Sequence, residues 1–245
     1  MDYHRRKIDL ENKNIMELIH RLATGKFLIP TFQRTFIWDP EHIILLWDSI
    51  YRSYPIGTIL YWETRTRLHV HRKIGGFFLP DGGPGHKPYS YILDGQQRTT
   101  SLLASYHGGT GNIKGQHSFD FTLYFDLIKN EFFFEKDYYK HKWEADSGFL
   151  IRLKDVLDLP DDYNSHLVSL PGYSKSVDKG LEQLRYALTH FSIPLIRLRG
   201  FDIEDVCGIY ERINQTGVRL TNMDILIARG FKNYAVVVDE DFSDT

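Results

Sequence analysis

The segment that most constrains this chain is an apolar stretch, Tyr91–Leu93, that runs directly into the dipeptide Asp94-Gly95. The residues from Gln96 onward carry amide, guanidinium and hydroxyl groups and continue into a helical pattern. A buried strand, a tight Asp-Gly turn and a helix therefore follow one another without a break. This order predicts a cluster of polar side chains at the helix N-terminus.

The groups of this turn suit a phosphate. Backbone N–H groups at a helix N-terminus favour an anion, and Gly95 lets an anion approach the backbone closely. Arg98 adds a fork of donors for phosphate oxygens, and Asp94 could hold Mg²⁺ between phosphates. Gln97 could orient a water molecule, as glutamine does in some phosphate-cleaving enzymes. A purely structural role, with Asp94 as a helix cap and Arg98 paired to a carboxylate, explains the same residues.

A second polar pair lies in an otherwise apolar segment between two predicted helices. Gln33 and Arg34 are flanked by Phe32, Phe36 and Trp38, which alternate with polar residues as on a half-buried strand or an extended loop. The rings could stack on a base while the polar pair reaches phosphate or base edges. An apolar staple between the helices, with Arg34 as a solvated neighbour, is the simpler explanation of the spacing.

A third, basic segment belongs to a predicted strand over 68–78 and the residues just before it. On a strand its charged side chains would share one face. These side chains are Arg65, Arg67, His69, His71 and Lys73. Such a face could follow a nucleic-acid backbone with salt-sensitive affinity, although a solvated face is the simpler explanation. We expect no metal ion on the two histidines, because no Cys, Asp or Glu joins them at ligand spacing.

The fourth pattern is a joint between two predicted helices. Asn214 ends a helix over 203–213, Gly217 supplies a left-handed turn, and Thr221 opens the next helix. The joint could present Asn214 towards a site. The helix–turn–helix geometry alone is also sufficient to explain the residues.

Strand and helix patterns are interleaved along the chain without the regular rhythm of a doubly wound sheet. The remaining predicted elements are strands at 58–63, 119–126, 131–135 and 192–198, helices at 15–22, 40–50 and 177–190, and long loops at 75–88 and 160–179. We therefore expect an α+β fold, in which helices surround an irregular mixed sheet.

Composition limits the classes of function. The 245 residues are 42% hydrophobic and 25% charged, as in ordinary globular proteins. A net charge of −2 excludes a generally basic nucleic-acid binder but allows a local basic face. The single cysteine, Cys207, cannot form an internal disulfide, and no apolar run suits a membrane span or a signal peptide. The sequence therefore predicts a cytoplasmic protein without a membrane partner.

Several catalytic motifs are absent from the sequence. It contains no G-x-x-x-x-G-K-[ST], no G-x-G-x-x-G, no G-x-S-x-G and no H-E-x-x-H. These absences argue against a Walker-type NTPase, a dinucleotide-binding Rossmann protein, an α/β-hydrolase and a zinc protease of the corresponding type. No zinc-binding Cys pair or His-plus-Asn nuclease box stands out either.

Four blocks together resemble one bacterial family, the ParB/sulfiredoxin-like N-terminal domain of GmrSD-type, modification-dependent (type IV) restriction enzymes. The blocks extend over most of the chain and occur in the family's order. They are Ile29–Arg34 with Trp38, Tyr54–Gly57, Ile92–Arg98 with Thr100, and Ile213–Asn214 with Gly217, Leu220 and Asp224. The Asp-Gly-Gln-Gln-Arg block is highly specific when a Pro-x-Phe-Gln-Arg block precedes it.

The resemblance implies a domain that binds and hydrolyses a nucleoside triphosphate with Mg²⁺ and couples this to the sensing of DNA in an anti-phage restriction system. The Asp-Gly-Gln-Gln-Arg motif is tied to hydrolysis in the family, which carries onto residues 94–98. The other signature, with Gln33 and Arg34, is expected in the same cleft. An alternative is a non-catalytic DNA-binding module that binds nucleotide without turnover.

These inferences give a set of expected site residues. Catalytic roles are expected for Asp94, Gln97 and Arg98. Asp94 would also hold the metal ion. Nucleotide contacts are expected from Gln33, Arg34, Gly95, Gln96, Thr99, Thr100 and Asn214. DNA contacts are expected from Arg65, Arg67, His69 and Lys73.

The expected organisation is a ParB/sulfiredoxin-like nucleotide-binding domain over 1–200 and the start of a helical region over 201–245. Many members of the family continue into an HNH-type nuclease, whose box this sequence lacks. The expected partners are therefore double-stranded DNA, modified or not, and an HNH-type nuclease domain or subunit. The sequence leaves the oligomeric state open, a homo-oligomer included.

Overall fold

The computed structural model describes residues 6–33, 38–74, 76–82, 87–113, 117–144 and 147–214. This part of the chain contains eleven strands and seven α-helices. In chain order they are β1 (Lys7–Asn14), α1 (Ile15–Ala23), α2 (Pro40–Tyr51), β2 (Ile59–Thr64), β3 (Lys73–Ile74), β4 (Phe77–Phe78), β5 (Tyr89–Asp94), α3 (Gln96–His107), β6 (Thr110–Ile113), β7 (His117–Asp120), β8 (Leu123–Asp126), β9 (Glu131–Phe134), α4 (Tyr138–Glu144), β10 (Leu150–Arg152), α5 (Tyr163–Ser169), α6 (Lys175–His190), β11 (Ser192–Arg199) and α7 (Ile203–Asn214). None of these helices is long and apolar enough to cross a membrane.

The central sheet has the strand order β1-β11-β2-β5. Its strands are mixed in direction, because β11 runs parallel to β2 while β1 and β5 run antiparallel to their neighbours. A smaller antiparallel sheet, β10-β8-β9, and two short hairpins complete the strands of the described residues. The predicted α+β class with an irregular mixed sheet is confirmed, whereas the ParB/sulfiredoxin-like core stays a prediction.

Both faces of the central sheet are covered. Successive side chains of a strand point to opposite faces, and on β5 Tyr91 and Leu93 pack towards α7 while Ile92 packs into the main core. The main core is shared with α1, α2, α3, α6 and the smaller sheet. A strand that is buried on both faces consists of consecutive apolar residues, and this pattern allowed β5 to be predicted from the sequence.

Helix α1 shows how local sequence fixes an element. Ile15, Leu18, Ile19 and Leu22 are all buried and lie at helical spacing. The helix begins after Asn14, whose Oδ1 accepts a hydrogen bond of 2.7 Å from the backbone N–H of Glu17. This side-chain cap satisfies one of the N–H groups that the first helical turn leaves without an acceptor.

The predicted continuous strand over 68–78 is wrong. Val70 forms only an isolated bridge with Pro30, and β3 and β4 then make a separate two-residue hairpin. The segment before β3 is held instead by two backbone hydrogen bonds to residues 29–31 of the same chain. They run from Thr31 N to His69 O and from His71 N to Ile29 O. The basic side chains of this segment therefore do not share one strand face.

Two further sequence predictions need correction, and some elements were not predicted. The expected loop over 160–179 contains α5 and the start of α6. The expected strand over 119–126 is divided into β7 and β8, because Asp120 Oδ1 accepts the N–H of Thr122 and turns the chain there. Strand β1 and helix α4 were not expected at all.

Strand β1 escaped prediction because its pattern is inverted. Ile8 and Leu10 are 61% and 79% exposed, whereas Asp9 is largely shielded. Asp9 pairs with Arg199 at 2.6 Å and with Arg197 at 3.3 Å across the β1–β11 ladder. Charged groups turned inwards are one way in which an edge strand avoids pairing with another chain.

We expect Asn14→Ala to lower the free energy of unfolding by about 1 kcal/mol, because α1 loses its side-chain cap. Asn12→Ala, at an exposed position of the same strand, should change it by less than about 0.5 kcal/mol. Urea denaturation of the two variants checks this. Equal losses in both would show that the cap contributes nothing specific.

Candidate functional site

A cavity of about 220 Å³ opens at the end of β5, where the strand passes into α3. It is lined by residues from three separate parts of the chain. Among the described residues these are Gln33, Trp38, Leu93, Asp94, Gly95, Gln96, Gln97, Arg98 and Tyr210. Gln33 of one polar signature and residues 94–98 of the other therefore line the same cavity, whereas Arg34 lies outside the described residues.

Gly95 makes the junction between β5 and α3 possible. It is the N-cap residue of α3 with φ +88°, and its carbonyl accepts the first helical hydrogen bond, from Thr99 N at 2.9 Å. A Cβ at this position would lie 3.0 Å from Cγ1 of Ile59. Both the left-handed backbone and the closeness of Ile59 therefore favour glycine, which has no Cβ, at this position. Gly95 has no side chain with which to cap α3, and the residues of the first turn, Gln96–Arg98, line the cavity.

Asp94 does not cap α3, because the cap position belongs to Gly95. It is the last residue of β5, and its side chain is 40% exposed. Its Oδ2 lies 3.3 Å from Nη2 of Arg98. Of the two structural roles weighed from the sequence, the cap is therefore wrong and the ion pair is present.

Arg98 is held by backbone as well as by charge. Its Nη1 donates a 2.6 Å hydrogen bond to the carbonyl oxygen of Ile56. The guanidinium lies against Gly57, where a Cβ would come within 2.5 Å of Nη1. The side chain is 19% exposed, so its charge is partly shielded but still reaches the cavity.

The contribution of Ile56 and Gly57 was missed by reasoning from the residues. The signal was present in the sequence, because these residues form part of the Tyr54–Gly57 block of the resemblance. The structure gives this block a physical role, which is to hold the guanidinium of Arg98 at the cavity wall.

Gln33 is buried, lines the cavity and is held by hydrogen bonds. Its side-chain Nε2 donates to the carbonyl oxygen of Ile92, and its backbone N–H donates to Pro30 O at 3.1 Å. His71 Nε2 lies 3.0 Å from the carbonyl oxygen of Gln33, a hydrogen bond when that nitrogen carries the proton. His71 therefore supports the site rather than an exposed basic face.

The aromatic walls come from two elements. Trp38, just before α2, lines the cavity, as does Tyr210 of α7. Phe32 packs edge-on against Tyr210 with ring centroids 5.5 Å apart. Tyr210 was not expected from the sequence, since nothing in its neighbourhood distinguishes it from an ordinary core residue of an amphipathic helix.

Two other predicted nucleotide contacts do not line the cavity. Thr99 and Thr100 are buried within α3 and do not line the cavity, and Thr99 Oγ1 donates to Gln96 O at 2.9 Å. Thr100 Oγ1 is buried without a hydrogen-bond partner in the part of the chain that the structure describes. Asn214 is the last residue of α7, and Arg34 lies outside the described residues.

The predicted DNA contacts lie outside the cavity lining. Arg65, Arg67, His69 and Lys73 are all exposed. Arg67 Nη2 lies 3.7 Å from Asp81 Oδ2, and Lys73 Nζ lies over the ring of Phe78 at 5.3 Å. These side chains are separate exposed groups on an irregular segment, and their contact with DNA stays a prediction.

The same segment is anchored to the sheet behind the cavity. The backbone N–H of Leu68 donates a 2.8 Å hydrogen bond to the hydroxyl of Tyr91. Desolvation by burial raises the pKa of Tyr91 to about 12. Burial therefore makes ionisation of this hydroxyl less favourable than that of an exposed tyrosine.

The family described as "GmrSD restriction endonuclease, N-terminal domain" matches residues 13–231, and the chain belongs to this family. The resemblance seen in the sequence is thus confirmed. The chain is also similar to an uncharacterized protein of Methanocaldococcus jannaschii, with 27% identity over 245 residues. That match covers 91% of this chain but 42% of the relative, so the chain spans less than half of the relative's length.

We expect Gly57→Ala to destabilise the fold more than Gly172→Ala. Both residues have positive φ, +85° and +88°, but a Cβ at Gly172 meets nothing within 4 Å. Each variant should lose about 1–2 kcal/mol to backbone strain. Gly57→Ala should lose about 1.5–3 kcal/mol more, because Arg98 must leave the carbonyl of Ile56.

A double variant separates the two costs. In an Arg98→Ala background, Gly57→Ala should cost only as much as Gly172→Ala, because no guanidinium remains to be displaced. Denaturant unfolding measures each free energy. If the extra cost persists without Arg98, the contact between Gly57 and the guanidinium is not its cause.

Proposed function

We propose that this member of the GmrSD N-terminal-domain family binds and hydrolyses a nucleoside triphosphate, and thereby regulates a restriction system that senses DNA. The observation that carries the proposal is the convergence of Asp94, Gln97 and Arg98 on one cavity at the N-terminus of α3. A nuclease lying outside this chain, of the HNH type, would cut the DNA.

The cavity supports phosphate binding through two sources of positive potential. The N-terminus of α3 offers backbone N–H groups and the positive end of the helix dipole. Arg98 adds a guanidinium whose Nη1 is fixed on Ile56 and whose Nη2 faces Asp94 and the cavity. Gln33, fixed by its bond to Ile92, adds another polar group to the cavity lining.

Asp94 fits the role of Mg²⁺ ligand. It is the only carboxylate among the described residues that line the cavity, and its side chain is 40% exposed. Mg²⁺ is commonly bound through one or two carboxylates together with substrate phosphates and water. When bound, the ion would supply positive charge to the phosphate oxygens.

Gln97 is suited to orient the attacking water. It belongs to the first turn of α3 and lines the cavity beside Arg98. An amide can accept from and donate to a water molecule at once, as glutamine does in other phosphate-cleaving enzymes. Trp38 and Tyr210 give the same cavity flat apolar walls, which suit a nucleobase.

The first test is phosphate release from ATP, GTP, CTP and UTP with Mg²⁺, in the presence and absence of double-stranded DNA. We expect Arg98→Ala to reduce turnover by about a hundredfold or more, as for the loss of a preorganised charge donor. Arg52→Ala is a matched control, because Arg52 also pairs with an aspartate four residues earlier, at 2.8 Å, but lies outside the cavity lining.

The control should retain wild-type turnover. Unchanged hydrolysis in a folded Arg98→Ala protein would refute the assignment of the site. Binding of nucleotide and DNA without hydrolysis of any triphosphate would favour the alternative, a non-catalytic DNA-sensing module. The exposed basic segment that contains Arg65 and His69 is the observation that favours this alternative.

We expect Arg65→Ala to weaken binding to double-stranded DNA and to reduce the slope of log affinity against log salt by about 1. The reason is that an exposed arginine on a phosphate releases a counterion. Arg52→Ala should leave the slope unchanged, since Arg52 is paired with Asp48 on another element. Fluorescence anisotropy at several salt concentrations, with modified and unmodified duplexes, measures both variants.

A further inference from the structure

A second cluster of ligand-type side chains lies on the smaller sheet, away from the nucleotide cavity. Asp126 ends β8, Glu131 begins β9, and His141 lies on α4. One ligand atom from each of the three residues lies within 4.8 Å of those of the other two. None of the three residues lines the cavity at the end of β5.

The spacing of these atoms is close to that of a metal centre. His141 Nδ1 lies 3.1 Å from Asp126 Oδ2 and 3.8 Å from Glu131 Oε1. Ligands about 2.0–2.1 Å from a tetrahedral Zn²⁺ ion are roughly 3.3 Å apart, so the two distances bracket the required value. The side chain of Glu131 is 52% exposed, so a change of rotamer can bring its Oε1 closer to His141 Nδ1.

Two of the three ligands are already held in place. Asp126 is fully buried, and its Oδ1 accepts the N–H groups of Ile128 at 2.8 Å and Lys129 at 3.0 Å, which leaves Oδ2 directed at His141. The imidazole of His141 stacks on Phe133 with ring centroids 3.8 Å apart. Carboxylates and imidazoles that bind a metal ion are typically held in place by neighbouring groups in this way.

The charges also balance. Two carboxylates and a neutral imidazole compensate a divalent cation, and the imidazole nitrogen favours a transition metal over Mg²⁺ or Ca²⁺. Lys129 Nζ lies 3.9 Å from Glu131 Oε1, and its side chain is 34% exposed. Three protein ligands with an exposed edge leave a fourth position for water.

We propose that Asp126, Glu131 and His141 form a binding site for Zn²⁺ or a similar divalent transition-metal ion. The ion would tie α4 to the two ends of the β8–β9 turn. The same turn contacts the main core, because Tyr51 of α2 donates its hydroxyl to Asn130 Oδ1 at 3.0 Å. The site would therefore stabilise the fold independently of nucleotide binding.

The test uses the full chain after treatment with a chelator and dialysis. Calorimetric titration with Zn²⁺ should give one ion per chain, Co²⁺ should produce visible d–d absorption, and Zn²⁺ should raise the thermal midpoint. Glu131→Gln, at an exposed position, should weaken binding about tenfold or more without unfolding the protein. Glu204→Gln, an exposed glutamate on α7, is the matched control and should bind as wild type.

His141→Gln provides a second variant and should also lose the Co²⁺ spectrum. The proposal is overturned if wild-type protein binds no stoichiometric Zn²⁺, which would mean that Asp126 and His141 form only a structural hydrogen bond. It is equally overturned if both variants bind as wild type, because other histidines would then account for the signal. Neither readout depends on nucleotide hydrolysis, so this outcome is separate from that of the proposed function.

Discussion

The left-handed turn at Gly95 is the constraint on which the candidate site depends. It allows β5, buried on both faces, to pass into α3 with no residue between strand end and helix cap. A Cβ there would lie 3.0 Å from Cγ1 of Ile59, so a side chain would force Ile59 to shift. The sheet therefore fixes the position of Asp94, and the helix fixes Gln97 and Arg98, on either side of a single glycine. A site on two rigid elements is held more accurately than one on a loop.

Local sequence was enough to predict this junction but not what surrounds it. The apolar run of β5, the Asp-Gly dipeptide and the helical pattern all concern neighbours along the chain, where backbone preferences act directly. The partners of Arg98 come instead from the end of the segment after α2, and Tyr210 comes from α7. Such contacts depend on tertiary packing, so the Tyr54–Gly57 block marks Ile56 and Gly57 in the sequence without revealing that they hold Arg98.

The errors elsewhere have physical causes of the same kind. The basic segment before β3 alternates like a strand, but its backbone bonds go to Thr31 and Ile29 in single contacts, so the periodicity never becomes a ladder. Strand β1 shows the reverse, because it pairs along its whole length with β11 while exposing Ile8 and Leu10. Its inward charges are compensated by Arg197 and Arg199, partners that lie far away in the sequence.

The energies of the two contacts of Arg98 favour a role of its guanidinium in binding an anion. An ion pair at 3.3 Å whose carboxylate is 40% exposed contributes at most about 1 kcal/mol, because water and salt screen it. The hydrogen bond from Nη1 to the carbonyl of Ile56, at 2.6 Å, is the stronger anchor, since a bond to a charged donor contributes about 1.5–3 kcal/mol. Arg98 can therefore exchange Asp94 for a phosphate oxygen at small cost while Nη1 stays in place. A guanidinium whose Nη1 is fixed and whose Nη2 is only weakly paired is suited to bind an anion reversibly.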